Sequence, residues 1–432
     1  MPTQTTDLIN HFLRVRATTE SLIATLSPED CQAQSMLDAS PAKWHLAHVN
    51  WFFETFVLQH FEKDFKPWNT AYQMLFNSYY NALGDKHPRP DRGLLSRPTL
   101  EEVLAWRRAV NERIQVLFTA QPSTDLSWIF RLGIEHEQQH QELLLTDIKH
   151  LFSCNALYPV YKKSVTQCFD NDSTLTKMAW LPGKAGVQEM GVSPAKTTFY
   201  FDNEAPRHSV FLNPYEMGHR LITNAEWQAF IADGGYDHYQ WWLDAGWFWL
   251  KKEGIKSPLY WHTQHNKPHA FTLHGNQALD LMAPVCHINY FEADAFARWK
   301  NATDSNFKGA RLPTEAEWEC FVDREVCTIP SHSNLLESAE LTPTRTLITN
   351  QPAQFFGDVW EWTSSPYMSY PGYQPWGGIA GEYNGKFMIN QMVLKGGSCF
   401  TPQSHVRSTY RNFFPTSARW QMTGLRLARD VS

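Results

Sequence analysis

The sequence predicts an α+β protein in two domains, a helical bundle followed by a loop-rich mixed domain. The chain of 432 residues is too long for one ordinary core. Apolar residues recur at helical spacing up to about residue 152, whereas Gly, Pro, Trp and Asn interrupt short segments after about residue 155. We therefore expect domains at 1–155 and 181–432, joined by a linker at 156–180.

The helical part contains four amphipathic segments, which predict an antiparallel four-helix bundle. They cover residues 8–26, 44–61, 99–120 and 126–152. Thr99 and Glu102 have the spacing of a capping box at the start of the third helix. The long connection at 64–98 is rich in aromatic residues, which indicates a packed, functional loop.

The second half predicts a mixture of short helices and strands. The helices are expected at 224–232, 290–299 and 314–321, and strands at 207–212 and 391–395.

Composition excludes several classes of protein. The 38 Lys+Arg against 44 Asp+Glu give a net charge of −6, so no basic surface for nucleic acid or membrane is expected. No apolar run approaches the roughly 20 residues of a membrane span, and the N-terminus does not resemble a signal peptide. The seven cysteines are scattered without a CxxC pair, which predicts a reducing, cytoplasmic environment.

The strongest chemical signal is a pair of histidines on the fourth predicted helix. His136 and His140 are four residues apart, so both imidazoles project from one face and can bind one metal ion. A third imidazole is available from His45 or His48 on the second helix, and periodicity does not distinguish these two. Three neutral histidines suit Zn, Fe or Cu.

Two other interpretations remain open at this point. The segment 136–140 is a literal HExxH match, so a zinc-dependent hydrolase or thiol transferase has to be considered, with Glu137 as the base of a hydrolase. A non-catalytic ligand-binding protein would instead use the aromatic second half for recognition.

The motifs also resemble a known family. Trp44-His-Leu-Ala-His48, Phe52-Phe-Glu54 and His136-x3-His140-x-Glu142 resemble the DinB-like bundle of the ergothioneine-pathway sulfoxide synthases. The second half resembles a formylglycine-generating-enzyme-like domain, with a C-type-lectin-like α+β fold. The segments that carry this second resemblance are Asp202-Asn-Glu204, Ile222-Thr-Asn224, Ala310-Arg-Leu-Pro-Thr-Glu-Ala-Glu-Trp318, Gly357-Asp-Val-Trp-Glu-Trp-Thr363, Lys395-Gly-Gly-Ser398 and Thr423-Gly-Leu-Arg-Leu-Ala428.

The resemblance implies a non-heme Fe(II) held by His48, His136 and His140, which favours His48 over His45. It also implies O2-dependent joining of a thiol sulfur to an imidazole carbon, with oxidation of the sulfur to a sulfoxide. The expected substrates are cysteine and hercynine (trimethylhistidine). Histidine as acceptor and γ-glutamylcysteine as thiol are the alternatives within the same chemistry.

Two departures from the related families narrow this expectation. Formylglycine-generating enzymes bind copper through a C-terminal cysteine pair, whereas this region has only Cys399, so formylglycine synthesis is not expected. The ovothiol-pathway relatives usually carry an added methyltransferase domain, which this sequence does not show. That difference favours hercynine over histidine.

The resemblance also suggests residues for chemistry and for the thiol substrate. Tyr79 and Tyr80 resemble catalytic tyrosines at this loop, and one of them would deliver a proton during oxygen activation. Arg89 and Arg92 resemble the arginine pair that binds the carboxylate of the thiol substrate.

Further positions correspond to the acceptor pocket. Gln139 matches a position that contacts the acceptor, and Asn412 is expected at its amine. Phe413 would offer a ring face to the trimethylammonium group. Phe414 stands where relatives that use γ-glutamylcysteine carry an acidic residue, which favours free cysteine.

Overall fold

The computed structural model describes residues 2–119, 122–163, 177–348 and 350–431. The chain forms two compact units, one of Met1–Lys162 with Gly377–Tyr383 and one of Lys163–Trp376 with Asn384–Ser432. The short segment Gly377–Tyr383 therefore belongs with the N-terminal unit, which the sequence did not indicate. The linker expected at 156–180 falls largely on residues 164–176, which lie outside the described residues.

The first unit is the predicted helical bundle. Its helices are α1 (Pro2–Ile23), α2 (Pro28–Gln32), α3 (Ala42–Phe52), α4 (Gln59–Phe61), α5 (Tyr72–Phe76), α6 (Leu100–Leu117) and α7 (Thr124–Ser153). A π-helical segment at Phe53–Leu58 joins α3 to α4. Helix α7 packs on α1 and α3, and α3 also packs on α6. No helix in the described ranges has both the length and the hydropathy needed to cross a membrane.

Local sequence explains where α6 begins. The Thr99 hydroxyl accepts the Glu102 N–H, and the Glu102 carboxylate accepts the Thr99 N–H, which is the predicted capping box of α6. The connection between α4 and α6 is packed as expected, because Tyr72, Phe76 and Tyr80 in it are buried.

The second unit is a mixed, loop-rich domain, so the α+β fold class is confirmed. Its helices are α8 (Asn224–Ala232), α9 (Asp244–Glu253), α10 (Tyr290–Thr303) and α11 (Glu315–Glu325). Its strands are β1 (Trp180–Pro182), β2 (Gly186–Met190), β3 (His208–Leu212), β4 (Tyr215–Gly218), β5 (Trp261–Gln264), β6 (Lys267–Thr272), β7 (Gly275–Ala278), β8 (Ala310–Arg311), β9 (Trp360–Pro366), β10 (Gln391–Lys395), β11 (Asn412–Pro415), β12 (Thr423–Gly424) and β13 (Ala428–Asp430). They form sheets in the orders β1-β4-β13-β8, β11-β10-β9-β12, β2-β3 and β5-β6-β7.

The motifs of the second half hold this domain together. The buried Glu361 carboxylate accepts hydrogen bonds from the Arg426 guanidinium at 2.9 Å and from the Trp318 indole at 3.0 Å. Lys395 forms a buried ion pair with Glu319 at 3.0 Å. Because each of these buried charges has a partner, removal of one partner would leave an uncompensated charge in the interior and destabilise the domain.

Candidate metal centre

Three histidines from two helices of the bundle converge on one point. Helix α3 supplies His48, and α7 supplies His136 and His140 one turn apart. The Nε2 atoms of His48 and His136 are 3.1 Å apart. One ring nitrogen from each of the three histidines lies within 4.8 Å of the others.

The hydrogen bonds and burial of these rings fit a bound metal ion. The His48 Nδ1–H donates to the carbonyl of Phe76 at 2.6 Å. The Nε2 of the neutral ring is therefore unprotonated and carries a lone pair. Burial lowers the pKa of His136 to about 3 and those of His48 and His140 well below their usual value, which favours neutral imidazoles. Two nitrogens that each bind one ion at about 2.0–2.1 Å lie at most about 4.2 Å from each other. The 3.1 Å between the Nε2 atoms of His48 and His136 is within that limit.

His45 occupies a different place from the three clustered histidines. Its Nδ1 lies 2.8 Å from His140 Nδ1, and its Nε2 lies 3.0 Å from the Asp147 carboxylate. Both of its ring nitrogens therefore contact protein atoms. Of the two candidates on α3, His48 joins the cluster.

Glu137, the acid of the HExxH segment, points away from the histidines. Its carboxylate contacts Arg16 at 3.0 Å, the Thr19 hydroxyl at 2.7 Å and the Arg107 guanidinium. Burial alone would raise its pKa, but Arg107 and Arg16 lower the pKa of Glu137 to about 2. A carboxylate held this way is a poor proton acceptor, so the geometry does not support a zinc hydrolase with Glu137 as base.

The two tyrosines proposed for catalysis lie beside each other at the bundle. Tyr80 is fully buried, with ring centroids 5.6 Å from Trp51 and 5.1 Å from Phe56. Burial raises the pKa of Tyr80 well above its usual value. Tyr79 is half-buried and stacks on Tyr80 at 4.6 Å. A catalytic role for either tyrosine stays a prediction.

Tyr383 is a residue that the sequence reasoning missed. Its ring centroid lies 5.9 Å from that of His136 and 6.4 Å from that of Tyr79, and its hydroxyl donates to the Gln139 side-chain oxygen. The neighbouring Glu382 carboxylate accepts the backbone N–H groups of Asn81 at 3.0 Å and Ala82 at 2.9 Å. No helical periodicity connects residue 383 to residue 136, so only the tertiary structure reveals this contact.

The two arginines proposed for the thiol substrate differ in environment. Arg92 is buried, with its guanidinium carbon 3.3 Å from the centroid of the Trp44 ring, which in turn stacks on His48. It donates to the Ser40 hydroxyl at 2.8 Å. Burial and the charge of Arg89 lower the pKa of Arg92 to about 8. Arg89 itself is exposed.

The residues proposed for the acceptor lie in both units. Gln139 is on α7 and accepts the Tyr383 hydroxyl hydrogen bond. Asn412, Phe413 and Phe414 lie on β11 of the second unit. The Asn412 side-chain oxygen accepts the N–H of Phe413 at 2.9 Å, and Tyr367 covers one face of the Phe413 ring at 4.0 Å. Acceptor binding by these residues stays a prediction.

Comparisons with known proteins agree with this architecture. The DinB superfamily model matches residues 11–144, and the sulfatase-modifying factor enzyme 1-like domain matches residues 165–322 and 350–431. Hercynine oxygenase of Mycolicibacterium thermoresistibile is 30% identical over 91% of this chain and 88% of its own length. Hercynine oxygenase of Mycobacterium tuberculosis is 29% identical over 98% of each chain. Ergothioneine biosynthesis protein 1 of Schizosaccharomyces pombe is 25% identical over 54% of this chain and 28% of its own length.

The fold and the site together define a DinB-type bundle with a three-histidine cluster, fused to a sulfatase-modifying-factor-like domain. The resemblance found in the sequence is thereby confirmed. The chain belongs to the hercynine oxygenase family, and it is an oxidoreductase.

Proposed function

We propose that this enzyme joins the sulfur of cysteine to the imidazole ring of hercynine and oxidises that sulfur to a sulfoxide, with O2 as oxidant and Fe(II) as cofactor. The observation that carries the proposal is the cluster of His48, His136 and His140, whose neutral ring nitrogens face one point. The names of the relatives support hercynine as the acceptor.

The overall reaction balances in atoms and electrons. Forming the C–S bond and adding oxygen to sulfur each remove two electrons, and O2 accepts all four. One oxygen atom enters the sulfoxide, and the other leaves as water with the thiol proton and the ring proton. A ferrous ion, when bound, supplies the electrons that begin O2 reduction and sites at which both substrates can be held together.

Arg92 is the residue that the geometry favours for the carboxylate of cysteine. In the described part of the chain it is buried, donates to the neutral Ser40 hydroxyl, and forms no ion pair. A buried guanidinium without a carboxylate partner is stabilised when an anion binds to it. Arg89 is exposed, so no observation supports the same role for it.

The Tyr383 ring contacts His136, a member of the histidine cluster. We propose that its hydroxyl, held by Gln139, delivers a proton during oxygen reduction and so directs the reaction toward C–S bond formation. The proton that the imidazole ring releases when the C–S bond forms then returns to the phenolate, so the overall balance is unchanged. Tyr79 contacts Tyr383 and extends this group of rings to the loop between α5 and α6.

The test uses anaerobically prepared protein loaded with Fe(II) and given cysteine, hercynine and O2. Mass spectrometry should detect the sulfoxide adduct, and its formation should require Fe(II) and O2 together. Product with Zn(II) and no O2 would select the zinc-dependent alternative. Binding of hercynine that survives His136→Ala, with no product under any condition, would select a non-catalytic binding protein.

The substrate assignment needs its own comparison. Hercynine is expected to have a higher kcat/KM than histidine, and cysteine a higher kcat/KM than γ-glutamylcysteine. Arg92→Ala should raise the KM for cysteine, whereas Arg89→Ala should leave that KM close to the value of the unaltered protein. A raised KM for cysteine in Arg89→Ala, with an unchanged KM in Arg92→Ala, would instead assign binding of the cysteine carboxylate to Arg89.

A further inference from the structure

A hydrogen-bonded chain of three side chains runs behind the histidine cluster. His140 Nδ1 lies 2.8 Å from His45 Nδ1, and His45 Nε2 lies 3.0 Å from the Asp147 carboxylate. The same carboxylate oxygen accepts the Ser40 N–H at 2.8 Å. The side chains of His45 and Asp147 are only 4% and 9% exposed, so these contacts are shielded from solvent.

The secondary structure brings these residues into line. His45 precedes His48 by three residues on α3, so both rings project toward α7 from neighbouring positions of one face. Asp147 follows His140 by seven residues on α7, which is two helical turns. His45 therefore lies between a member of the cluster and a carboxylate on the same helix.

The direction of the hydrogen bonds follows from the chemistry of the groups. The carboxylate of Asp147 accepts, so the proton of a neutral His45 ring lies on Nε2. His45 Nδ1 is then unprotonated, and its lone pair accepts the Nδ1–H of His140. His140 in turn keeps its Nε2 unprotonated, which is the nitrogen left to bind a cation.

We propose that His45 and Asp147 are positioning residues that set the tautomer and ring orientation of His140 for binding a divalent cation. This inference rests on the proposed metal site. A carboxylate–imidazole pair behind a metal ligand raises the basicity of that ligand, and loss of such a partner typically weakens metal affinity by about 10- to 100-fold. His48 has its own support from the Phe76 carbonyl, so the pair serves His140 specifically.

The experiment measures cation affinity and does not depend on turnover. Co(II) is titrated into the metal-free protein and followed by its ligand-field absorption, and Fe(II) is titrated anaerobically by calorimetry. His45→Phe keeps a ring in the space but removes both hydrogen bonds, and we expect about 10- to 100-fold weaker binding. His45→Gln restores an acceptor for His140 and a donor for Asp147, and we expect it to recover most of the affinity.

Two further variants complete the design. Asp147→Asn keeps a carbonyl acceptor but removes the charge, so we expect the smaller loss, of about 10-fold. His150→Phe is the matched control, because this partly buried imidazole lies on the same helix and donates to or accepts from Ser35, outside the cluster. It should leave the Co(II) affinity unchanged. Thermal unfolding of each metal-free variant separates affinity from folding.

The outcomes distinguish this inference from the proposed function. Unchanged cation affinity in folded His45→Phe, or equal losses in His45→Phe and His45→Gln, would overturn the positioning role alone. If His45→Phe does not fold, Asp147→Leu takes its place. About 10- to 100-fold weaker cation binding by Asp147→Leu, with most of the affinity kept in His45→Gln, supports the positioning role, and unchanged binding by Asp147→Leu overturns it. Failure of the unaltered protein to bind either cation would overturn the metal site and this inference with it.

Discussion

Glu137 and the two clustered histidines of α7 point to different faces of the helix and have different partners. Successive residues on an α-helix point about 100° apart, so His136 and His140 share a face that Glu137 does not. That other face meets the buried guanidinium groups of Arg16 and Arg107. A motif match gives residue spacing but not the partners on each face, which is why HExxH alone suggested a zinc hydrolase.

Glu137→Gln tests this structural role. The substitution leaves two buried guanidinium groups without their carboxylate, and we expect a loss of about 3 to 5 kcal/mol in the free energy of unfolding. Urea unfolding of the metal-free protein measures it. Asp125→Asn, at an exposed carboxylate of the same helix, should cost less than about 1 kcal/mol. A Glu137→Gln protein as stable as the unaltered one but unable to form product would place Glu137 in the chemistry instead.

Tyr383→Phe tests the proposed proton donor. Removing the hydroxyl keeps the ring beside His136 but ends proton delivery, so we expect the products to shift from the sulfoxide adduct toward cysteine sulfinate. Mass spectrometry of both products at equal O2 consumption gives the ratio. Tyr79→Phe combined with Tyr80→Phe is the comparison. A larger shift in that double variant would return the role to the loop tyrosines.

Between elements, the contact of α7 with the π-helical segment depends on a glycine. A Cβ atom at Gly133 would lie 2.6 Å from the Phe53 ring and 3.2 Å from the Phe52 ring. The Phe52 ring in turn packs on His136 at 4.6 Å. The absence of a side chain one turn before His136 therefore lets α7 approach closely enough to place that imidazole.

Gly133→Ala is expected to disturb the site through packing. Alanine favours the helix by up to about 1 kcal/mol, but the clash with aromatic rings costs about 1 to 3 kcal/mol, so the net effect is expected to be destabilising. We also expect weaker Co(II) binding, measured by titration. Gly254→Ala, at a helix end with open space around it, is not a suitable control because its φ is +64°. Ser127→Ala, also on α7, is a suitable control. An equal loss of Co(II) affinity in Gly133→Ala and Ser127→Ala would argue against the packing explanation.

A buried histidine that directly follows β4 is expected to make the second unit sensitive to acid. His219 follows β4 and accepts the Ala179 N–H on its Nδ1 at 3.1 Å, which requires the unprotonated nitrogen. Burial and the charges of Arg220 and Arg426 lower the pKa of His219 to about 4. The unfolded chain, with a pKa near 6.5, binds more protons between these values, so stability falls as pH decreases from about 6.5 to about 4.

Comparing unfolding at pH 7 and pH 5 measures this effect. From the pKa difference we expect His219 to account for a loss of about 2 kcal/mol at pH 5. His219→Asn offers a neutral acceptor to Ala179 and should show a smaller difference between the two pH values. An unchanged difference would mean that His219 does not control the acid sensitivity.

Taken over the chain, the sequence predicted the elements whose signals are local. The helix Asn224–Ala232 and the strand Gln391–Lys395 have the predicted bounds, because caps and periodicity are encoded nearby. The His136 and His140 pair followed from helical spacing, whereas the choice between His45 and His48 required the resemblance or the structure. Other features depend on contacts between distant segments, which no periodicity encodes. These are the position of Tyr383, the hydrogen-bonded chain through His45 and Asp147, and the partners of Glu137.

Cation binding should stabilise the protein as a whole. A ligand that binds only the folded state contributes about 2.7 kcal/mol at 100 times its Kd, so Co(II) or Fe(II) should raise Tm and a chelator should reverse the rise. Thermal unfolding with and without cation measures this. His136→Ala removes one of the three imidazoles and should abolish most of the rise. An equal rise in that variant would locate the bound cation elsewhere.

The return of Gly377–Tyr383 to the bundle has a consequence for how this protein can be divided. A gene fragment ending near residue 162 encodes all three clustered histidines but neither Tyr383 nor the Glu382 carboxylate that caps Asn81 and Ala82. Such a fragment would retain the three clustered histidines without the phenol beside them. The two halves are therefore not freely exchangeable modules, and a recombined chimera has to inherit this short segment from the same parent as its bundle.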